Sequence, residues 1–214
     1  MSTTATFQQG ISGYTGTTDT YITSPPTDTV NHDADGALNL KWYAAENRSN
    51  TLVRFDVSSI PSGAIVVSAT LTLVPSTLIF GAPFNVSSYP LKRNWIENQA
   101  TWNIYSTGNN WETVGGLGAN DIGSKEGTTA VPATGNAVFS IPVMVQGWID
   151  GSLTNYGVSL ITDGIAEKYW LGRDSEYATS ASRPLLTVVC DYTAPPPSTR
   201  IRDVIGAGII PYRR

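Results

Sequence analysis

The chain has few of the residues on which cross-linking, metal binding by sulfur or nucleophilic catalysis depend. Its 214 residues include one cysteine, Cys190, and one histidine, His32. A single cysteine excludes an internal disulfide framework, and no paired cysteine and histidine spacing indicates a zinc site. His32 lies in a turn rich in glycine and aspartate, with no Gly-x-Ser-x-Gly motif in the chain. A hydrolase of the catalytic-triad type is therefore not expected.

Charge and long apolar runs are also scarce. Charged residues make up 14% of the chain and the formal net charge is -4, so nucleic acid is not expected as a partner. No apolar segment is long enough to cross a bilayer, so we expect no membrane insertion. The first ten residues lack the basic and apolar regions of a signal peptide. We nevertheless expect an extracellular or virion-surface location, reached from a longer precursor, by lysis or by assembly into a particle.

Short segments rich in Val, Ile, Leu and Thr, separated by Gly, Pro and Asn, predict an all-β fold. The clearest predicted strands are 51–57, 66–74, 137–141, 158–162 and 185–191. Within 69–73 apolar and polar residues alternate, which predicts that the leucines face a core and the threonines face away from it. A length of 214 residues suits one large β domain, and we assign it to residues 1–193.

Two regions depart from the strand pattern. A short helix is predicted over 143–150, where Pro142 favours the first turn, Gly151 follows the end, and four residues share an apolar face: Met144, Val145, Trp148 and Ile149. Residues 103–135 are rich in Gly, Asn and Thr, which predicts extended loops with room for one short strand.

The C-terminal segment differs in composition from the body. Three consecutive prolines, 195–197, end the last predicted strand, and residues 194–214 read as a Pro-rich linker and an extended C-terminal arm. Ordering against a partner subunit, ordering against its own domain and remaining mobile are all open for this arm. The candidate docking residues are Arg200, Ile201, Arg202, Val204, Ile205, Ile209, Ile210, Tyr212, Arg213 and Arg214.

Several short segments follow one another in a recognisable order. They are DTYI (19–22), LVRFDVSSIP (52–61), ATLTL (69–73), WIE (95–97), TW (101–102), VQGW (145–148), NYG (155–157), SEY (175–177) and RPLL (183–186). Together they resemble the DNRLRE domain family, over roughly residues 19–192. The resemblance implies a jelly-roll-like β-sandwich of a kind found in secreted bacterial proteins, polysaccharide-active enzymes and phage proteins. Where relatives show an early Asn-Tyr-Gly turn, this chain has NHDADG at 31–36.

Some members of the resembled family bind acidic polysaccharides, so the resemblance implies a possible glycan ligand. Trp95, Trp102 and Trp148 belong to the quoted segments and are expected to pack in the core. The remaining tryptophans are candidates for exposed rings that stack on sugars, and nearby cations are candidates for recognising acidic groups. The candidate ligand-binding residues are Trp42, Trp111, Trp170, Lys41, Arg93 and Lys168.

Acidic residues suggest two further kinds of site, a calcium site and a pair of catalytic carboxylates. The run Asn31-x-Asp33-x-Asp35-Gly36 resembles the start of a calcium loop, although its twelfth position is Trp42, so a looser structural calcium site and a turn capped by its own side chains both remain open. No other cofactor is expected. Carboxylates for glycoside cleavage exist at Glu97, Glu112, Asp121, Asp174 and Glu176. The alternative is that Glu97 and Glu176 pair with an arginine, namely Arg54, Arg93, Arg173 or Arg183.

Two functions follow, neither of them enzymatic. The first is a structural or adhesive module on an extracellular assembly, most naturally a phage virion, as a decoration or tail-associated protein. Its C-terminal arm would dock on capsid or tail subunits or on other copies of the chain. The alternative is a carbohydrate-binding module that recognises an acidic polysaccharide.

Overall fold

The computed structural model describes residues 2–44, 47–164 and 167–192. In these ranges the chain forms strands, one α-helix and two single-turn 3-10 helices, Asp33–Asp35 and Ser180–Ser182. The strands and the helix are β1 (Ser2–Gln8), β2 (Thr17–Thr23), β3 (Leu38–Ala44), β4 (Asn47–Phe55), β5 (Ile65–Leu73), β6 (Pro75–Phe80), β7 (Phe84–Pro90), β8 (Ile104–Ser106), β9 (Asn109–Asn110), β10 (Gly127–Val131), β11 (Ala137–Ser140), α1 (Pro142–Asp150), β12 (Val158–Thr162), β13 (Lys168–Gly172) and β14 (Leu185–Asp191).

The strands form two main sheets around a common core. One sheet has the order β1-β14-β5-β11, and the larger has the order β10-β7-β12-β4-β3-β13-β6, with β2 pairing β4 as well. Leu71 and Val188 of the first sheet and Val53 and Phe55 of the second are buried in one apolar cluster. The chain is therefore an all-β sandwich with one short helix, as the sequence predicts.

The strands with the strongest sequence signal are confirmed. β12 and β14 have the predicted bounds, β5, β11 and α1 differ from theirs by one residue at one or both ends, and β4 begins four residues and ends two residues before the predicted strand 51–57. In β5, Ala69, Leu71 and Leu73 are buried, whereas the threonines between them are partly exposed. The region predicted as loops with one strand contains β8, β9 and β10, of which β8 and β9 form a separate two-stranded sheet.

Both faces of the larger sheet are covered at β4. Val53 belongs to the main core, whereas its neighbour Leu52 belongs to a second cluster. Successive strand residues point to opposite faces, so the second cluster lies on the other side of the sheet. Its other members are Ile22, Leu91, Trp95, Ala100, Trp102 and Trp111. The loop segment after β7 thus covers a sheet face that would otherwise be exposed.

Helix α1 packs beside β5, and one of its side chains is hydrogen-bonded to the backbone at the start of that strand. The side chain of Gln146 accepts a hydrogen bond from the backbone N–H of Val66 at 2.7 Å and donates to the carbonyl oxygen of Ala64 at 3.2 Å. The predicted apolar face is buried, and the helix ends at Gly151 in the left-handed conformation, with φ of 78°. Within the described ranges, no helix combines the length and apolar character needed to span a bilayer.

The predicted linker and arm, residues 194–214, lie outside the described residues. The docking candidates from Arg200 to Arg214 lie there too, so their role stays a prediction.

Candidate functional site

Three neighbouring strands of the larger sheet carry a row of side chains at the surface. Tyr169 of β13 lies opposite Lys41 of β3 on one side and opposite Phe80 of β6 on the other. Directly opposed residues of antiparallel strands place their side chains on the same face. Adjacent strands are about 4.8 Å apart, so this Tyr169 row, formed by Lys41, Tyr169 and Phe80, extends over roughly 10 Å. Phe80 is 55% exposed, and the other two are half-buried.

The Tyr169 row combines aromatic rings with a cation. Nζ of Lys41 lies 6.0 Å from the centroid of the Tyr169 ring, which is within the range of a cation–π contact. Tyr43, two residues beyond Lys41 on β3, is another ring that is 55% exposed. Flat apolar rings beside a positive charge suit a ligand that has both an apolar face and a negative group.

The opposite face of the same strands belongs to the core. Trp170 lies opposite Leu40 and Ile79, and all three pack in the main cluster. Since successive residues of a strand point to opposite faces, Trp170 points inward where Tyr169 points outward. Trp170 is 0% exposed. The prediction that Trp170 is an exposed aromatic is therefore wrong.

Trp42 and Lys168 lie opposite each other at one end of β3 and β13. Trp42 is half-buried, with the Arg48 guanidinium 5.1 Å from its ring centroid. Nζ of Lys168 donates to the backbone carbonyl oxygen of Gly81 at 2.6 Å. The strand alternation places both on the face opposite the Tyr169 row, so of the six predicted ligand-binding residues only Lys41 lies in that row.

Trp111 and Arg93 lie in a different part of the molecule. Trp111 is 4% exposed in the second core cluster, and its Nε1 donates to the carbonyl oxygen of Thr101 at 2.9 Å. The prediction of an exposed Trp111 is wrong, because the loop that carries it folds over the sheet. Arg93 donates through Nε to Oδ1 of the buried Asp121 at 3.1 Å. A contact of Arg93 with a glycan stays a prediction.

Carboxylates from three distant parts of the chain meet at a second location. Asp19 is on β2, Glu97 is in the loop after β7, and Glu176 follows β13. One carboxylate oxygen from each lies within 4.8 Å of the other two. We call these three residues the acidic cluster. Asp19 is 1% exposed, whereas Glu97 is half-buried and Glu176 is exposed.

Hydrogen bonds position the acidic cluster but leave part of it without donors. The backbone N–H of Asp19 donates to Oε1 of Glu97 at 2.7 Å, and that of Ser175 donates to Oδ1 of Asp19 at 3.3 Å. The hydroxyl of Ser175 donates to Oε1 of Glu176 at 2.7 Å. In the described part of the chain, the buried Oδ2 of Asp19 and Oδ1 of Asp174 have no hydrogen-bond partner. Burying an acceptor without a donor is unfavourable.

The electrostatics of the cluster reflect crowded negative charge. Burial and the charge of Glu176 raise the pKa of Asp19 well above its usual value. Burial raises the pKa of Glu97 to about 7, and the charges of Glu176 and Asp33 act in the same direction. Burial and then Glu176 also raise the pKa of Asp174. These carboxylates therefore oppose one another's ionisation.

The predicted pairing of Glu97 and Glu176 with arginines is wrong. Between residues 2 and 192, apart from those left undescribed, the ion pairs are His32 with Asp35 and Arg93 with Asp121. Arg54 favours the ionised form of Glu97 from a distance, but its guanidinium donates to Asn94 at 3.2 Å and lies 5.3 Å from the Trp95 ring centroid. The contact with the Trp95 ring and the bond to Asn94 hold Arg54 away from direct pairing.

An open cavity of about 470 Å³ adjoins the acidic cluster. Glu97, Asp33, Arg54 and Trp95 are among its lining residues. Solutes can therefore reach Glu97 from this side.

The Asn31 to Asp35 segment forms the self-capped turn that was the alternative to a calcium loop. Oδ1 of Asn31 accepts from the backbone N–H of Asp33 at 3.1 Å, which is an Asx turn. Oδ2 of Asp35 accepts from the hydroxyl of Tyr21 at 2.6 Å and faces Nδ1 of His32 at 2.8 Å. Protein groups thus already engage Asn31 and Asp35. Calcium at Asn31, Asp33 and Asp35 stays a prediction.

The sequence reasoning missed Phe80 and Tyr169. It named Glu97 and Glu176 among the candidate carboxylates but missed Asp19 and the convergence of the three. For Tyr169 the sequence signal is weak: the adjacent aromatic residues Tyr169 and Trp170 are typical of a strand, but Lys168 to Gly172 shows no alternation of polar and apolar residues that would assign their faces. For the acidic cluster no local signal exists, because its three members lie far apart along the chain.

The comparison with known families concerns the first half of the chain. The sequence model of carbohydrate-binding module family 96 matches residues 11–111, just under half of the chain. The matched span includes Lys41, Phe80, Asp19 and Glu97 but not Tyr169 or Glu176. No curated protein matches the chain at a significant level. Over the matched span the chain is similar to a family of carbohydrate-binding modules. This family is related to the DNRLRE domain family that the sequence resembles.

Proposed function

We propose that this protein is a carbohydrate-binding module that holds an acidic polysaccharide on the Tyr169 row. The similarity to carbohydrate-binding module family 96 supports the class of function. The observation that carries the location is the alignment of the half-buried Lys41 and Tyr169 with the exposed Phe80 across three paired strands.

The row supplies the two interactions that such a ligand needs. The rings of Tyr169 and Phe80 offer apolar faces to the C–H face of a sugar ring, and Lys41 offers a positive charge to a carboxylate or sulfate. Burial lowers the pKa of Lys41 from its ordinary value, and a bound anion would favour the charged form. Because the side chains stand on hydrogen-bonded strands, little order has to be gained on binding.

This proposal follows the alternative hypothesis from the sequence, a carbohydrate-binding module, rather than the hypothesis of a virion protein. The family similarity concerns carbohydrate binding and gives no support to a capsid or tail partner. A binding module acts without chemistry of its own, which agrees with the expectation that the protein is not an enzyme. A polysaccharide partner also agrees with an extracellular site of action. The absence of catalysis and the extracellular location are both part of the proposal.

Affinity electrophoresis and calorimetry against soluble polysaccharides test the proposal. The panel contains a polyuronate, a sulfated polysaccharide and a neutral glucan. We expect the acidic polymers to bind and the neutral glucan to bind weakly. Tyr169→Ala and Phe80→Ala are each expected to lower the affinity about tenfold, which corresponds to roughly 1.4 kcal/mol. Lys41→Gln is expected to weaken binding and to reduce its dependence on salt.

Matched variants elsewhere serve as controls. Tyr89 is a partly exposed tyrosine on β7 of the same sheet, and Lys125 is an exposed lysine. Tyr89→Ala and Lys125→Gln should keep the affinity of the parent protein. If the parent binds no member of the panel, the function is wrong. If it binds and the Tyr169 and Phe80 variants bind equally well, the location is wrong.

A further inference from the structure

We infer that Asp19, Glu97 and Glu176 form a binding site for a divalent cation that prefers oxygen ligands, calcium above all. Its ligands differ from the residues of the Tyr169 row and from the calcium ligands predicted in the Asn31 to Asp35 turn, although Asp33 of that turn lines the same cavity as Glu97. The site requires no glycan binding.

The first argument is geometric. Calcium binds oxygen ligands at about 2.4 Å, so two oxygens that share one ion are at most about 4.8 Å apart. One oxygen from each of the three carboxylates meets this limit with respect to the other two. The three carboxylates can supply up to about six oxygens, and water can complete the six to eight that calcium takes.

The second argument is an unsatisfied acceptor on the most buried member of the group. Among the described residues, Oδ2 of Asp19 has no hydrogen-bond donor although Asp19 is only 1% exposed. The neighbouring Asp174 is 2% exposed and has a second buried oxygen without a donor. A cation held by the acidic cluster satisfies Oδ2 of Asp19 directly and removes the repulsion between the carboxylates.

The ligand chemistry selects the kind of ion. The group offers carboxylate oxygens and no sulfur or imidazole nitrogen, which suits hard cations rather than zinc or copper. Carboxylates from three separate segments favour calcium over magnesium, because magnesium demands a near-ideal octahedron and keeps most of its water.

The proposed ion can reach the site from solvent, and its binding would link three separate segments of the chain. Glu176 is exposed, and the open cavity reaches Glu97, so binding requires no opening of the core. A bound ion joins β2 to the loop after β7 and to the turn after β13. Since it binds only the folded chain, it stabilises that state by mass action.

The test measures calcium binding by the full chain, first treated with chelator and then dialysed free of it. Isothermal titration with CaCl2 is expected to show one site, and terbium is expected to show luminescence sensitised by Trp95, which lines the adjoining cavity. Calcium at about 100 times the dissociation constant should raise the Tm by about 5 °C or more. Magnesium should raise it less.

Variants assign the site. Glu97→Gln and the exposed Glu176→Gln are each expected to weaken calcium binding at least about tenfold while the calcium-free protein stays folded. Asp19→Asn is expected to abolish binding and to raise the Tm of the calcium-free protein, because it removes a buried carboxylate that lies beside two others and has no counter-charge among the described residues. Asp163→Asn changes an exposed aspartate elsewhere and should bind as the parent does.

Two results would overturn the inference. One is the absence of calcium binding and of any Tm change in the parent protein. The other is binding that survives Glu97→Gln and Glu176→Gln but is lost in Asp35→Asn, which would place the ion in the Asn31 to Asp35 turn instead.

Discussion

Asp121 organises the long segment that covers the larger sheet. Its carboxylate is fully buried and accepts three backbone N–H groups, from Glu112, Thr113 and Gly118, each at 3.0 Å. Arg93 donates to the same group at 3.1 Å. One side chain thus holds the loop that carries Trp111 in place over the second core cluster.

Replacing this carboxylate with an amide should therefore be costly. In Asp121→Asn, the amide NH₂ faces donors rather than an acceptor, and Arg93 loses its counter-charge. We expect the free energy of unfolding to fall by about 2–4 kcal/mol, measured by urea denaturation. Asp163→Asn is the control, and an unchanged midpoint in Asp121→Asn would show that the loop does not depend on this residue.

Asp121 also predicts an acid dependence of stability. Burial opposes its ionisation, but the hydrogen bonds from backbone and from Arg93 outweigh burial, so its pKa lies below the ordinary 3.8. As the pH falls, the carboxylate of Asp121 is therefore protonated at a higher pH in the unfolded chain than in the folded protein. The contribution of Asp121 is therefore complete above about pH 4 and is lost as the pH falls through the native pKa. Urea midpoints measured from pH 6 to pH 2 should fall less steeply in Asp121→Asn than in the parent. Equal slopes would contradict this assignment.

The two tryptophans of the paired strands β3 and β13 should respond differently to truncation. Trp170→Ala leaves a large cavity in the main core and is expected to lower the free energy of unfolding by about 3–5 kcal/mol. Trp42→Ala, at a half-buried position, should cost much less. Thermal unfolding of both variants measures the difference, and similar losses would contradict the inward orientation of Trp170.

At the scale of elements, helix α1 has an N-terminus that depends on a distant residue. The N-cap position is Ile141, whose side chain cannot accept a hydrogen bond. Instead, the carboxylate of Glu126 accepts from the backbone N–H groups of Val143 at 2.6 Å and Met144 at 2.8 Å. A negative group at this end also interacts favourably with the helix dipole.

Removing this cap should destabilise the protein as loss of a local N-cap does. Glu126→Ala is expected to lower the free energy of unfolding by about 1 kcal/mol, measured by chemical denaturation. The neighbouring exposed Lys125→Ala is the control. A midpoint equal to that of the control would mean that water serves these N–H groups equally well.

The elements also differ in how far their sequences reveal them. β5, β12 and β14 combine a high content of β-branched residues with clear ends, and their prediction is confirmed. β13 and β6 are not among the predicted strands, and in β13 Trp170 was interpreted as an exposed ring rather than as one of two alternating strand positions. Reading Tyr169 and Trp170 as neighbours on a strand would have assigned one outward and one inward.

At the scale of the whole molecule, the main core is formed within residues 7 to 190. A version that ends at Tyr192 should therefore unfold at a Tm close to that of the full chain and keep the same polysaccharide affinity. Calorimetry and affinity electrophoresis compare the two versions. A large loss of Tm in the shorter version would show that the C-terminal segment packs on its own domain.

The same pair of versions tests the predicted docking arm. Light scattering and electron microscopy should show self-association or particle association only for the full chain if residues 194–214 dock on a partner. Equal behaviour of the two versions would remove the basis for that prediction.

The sequence by itself determined the class of fold, because alternation of apolar residues and frequent turn residues act locally and need no knowledge of distant contacts. It also determined that packing, rather than disulfides, must hold the domain together. Trp95, Trp102 and Trp148 are buried as expected from the sequence. Only the tertiary structure decided that Trp111 is buried too, since its segment folds over a sheet face that a single-strand pattern leaves open. It alone brought Asp19, Glu97 and Glu176 together, because each lies on a separate segment and only the pairing of the strands and the packing of the loops make them neighbours.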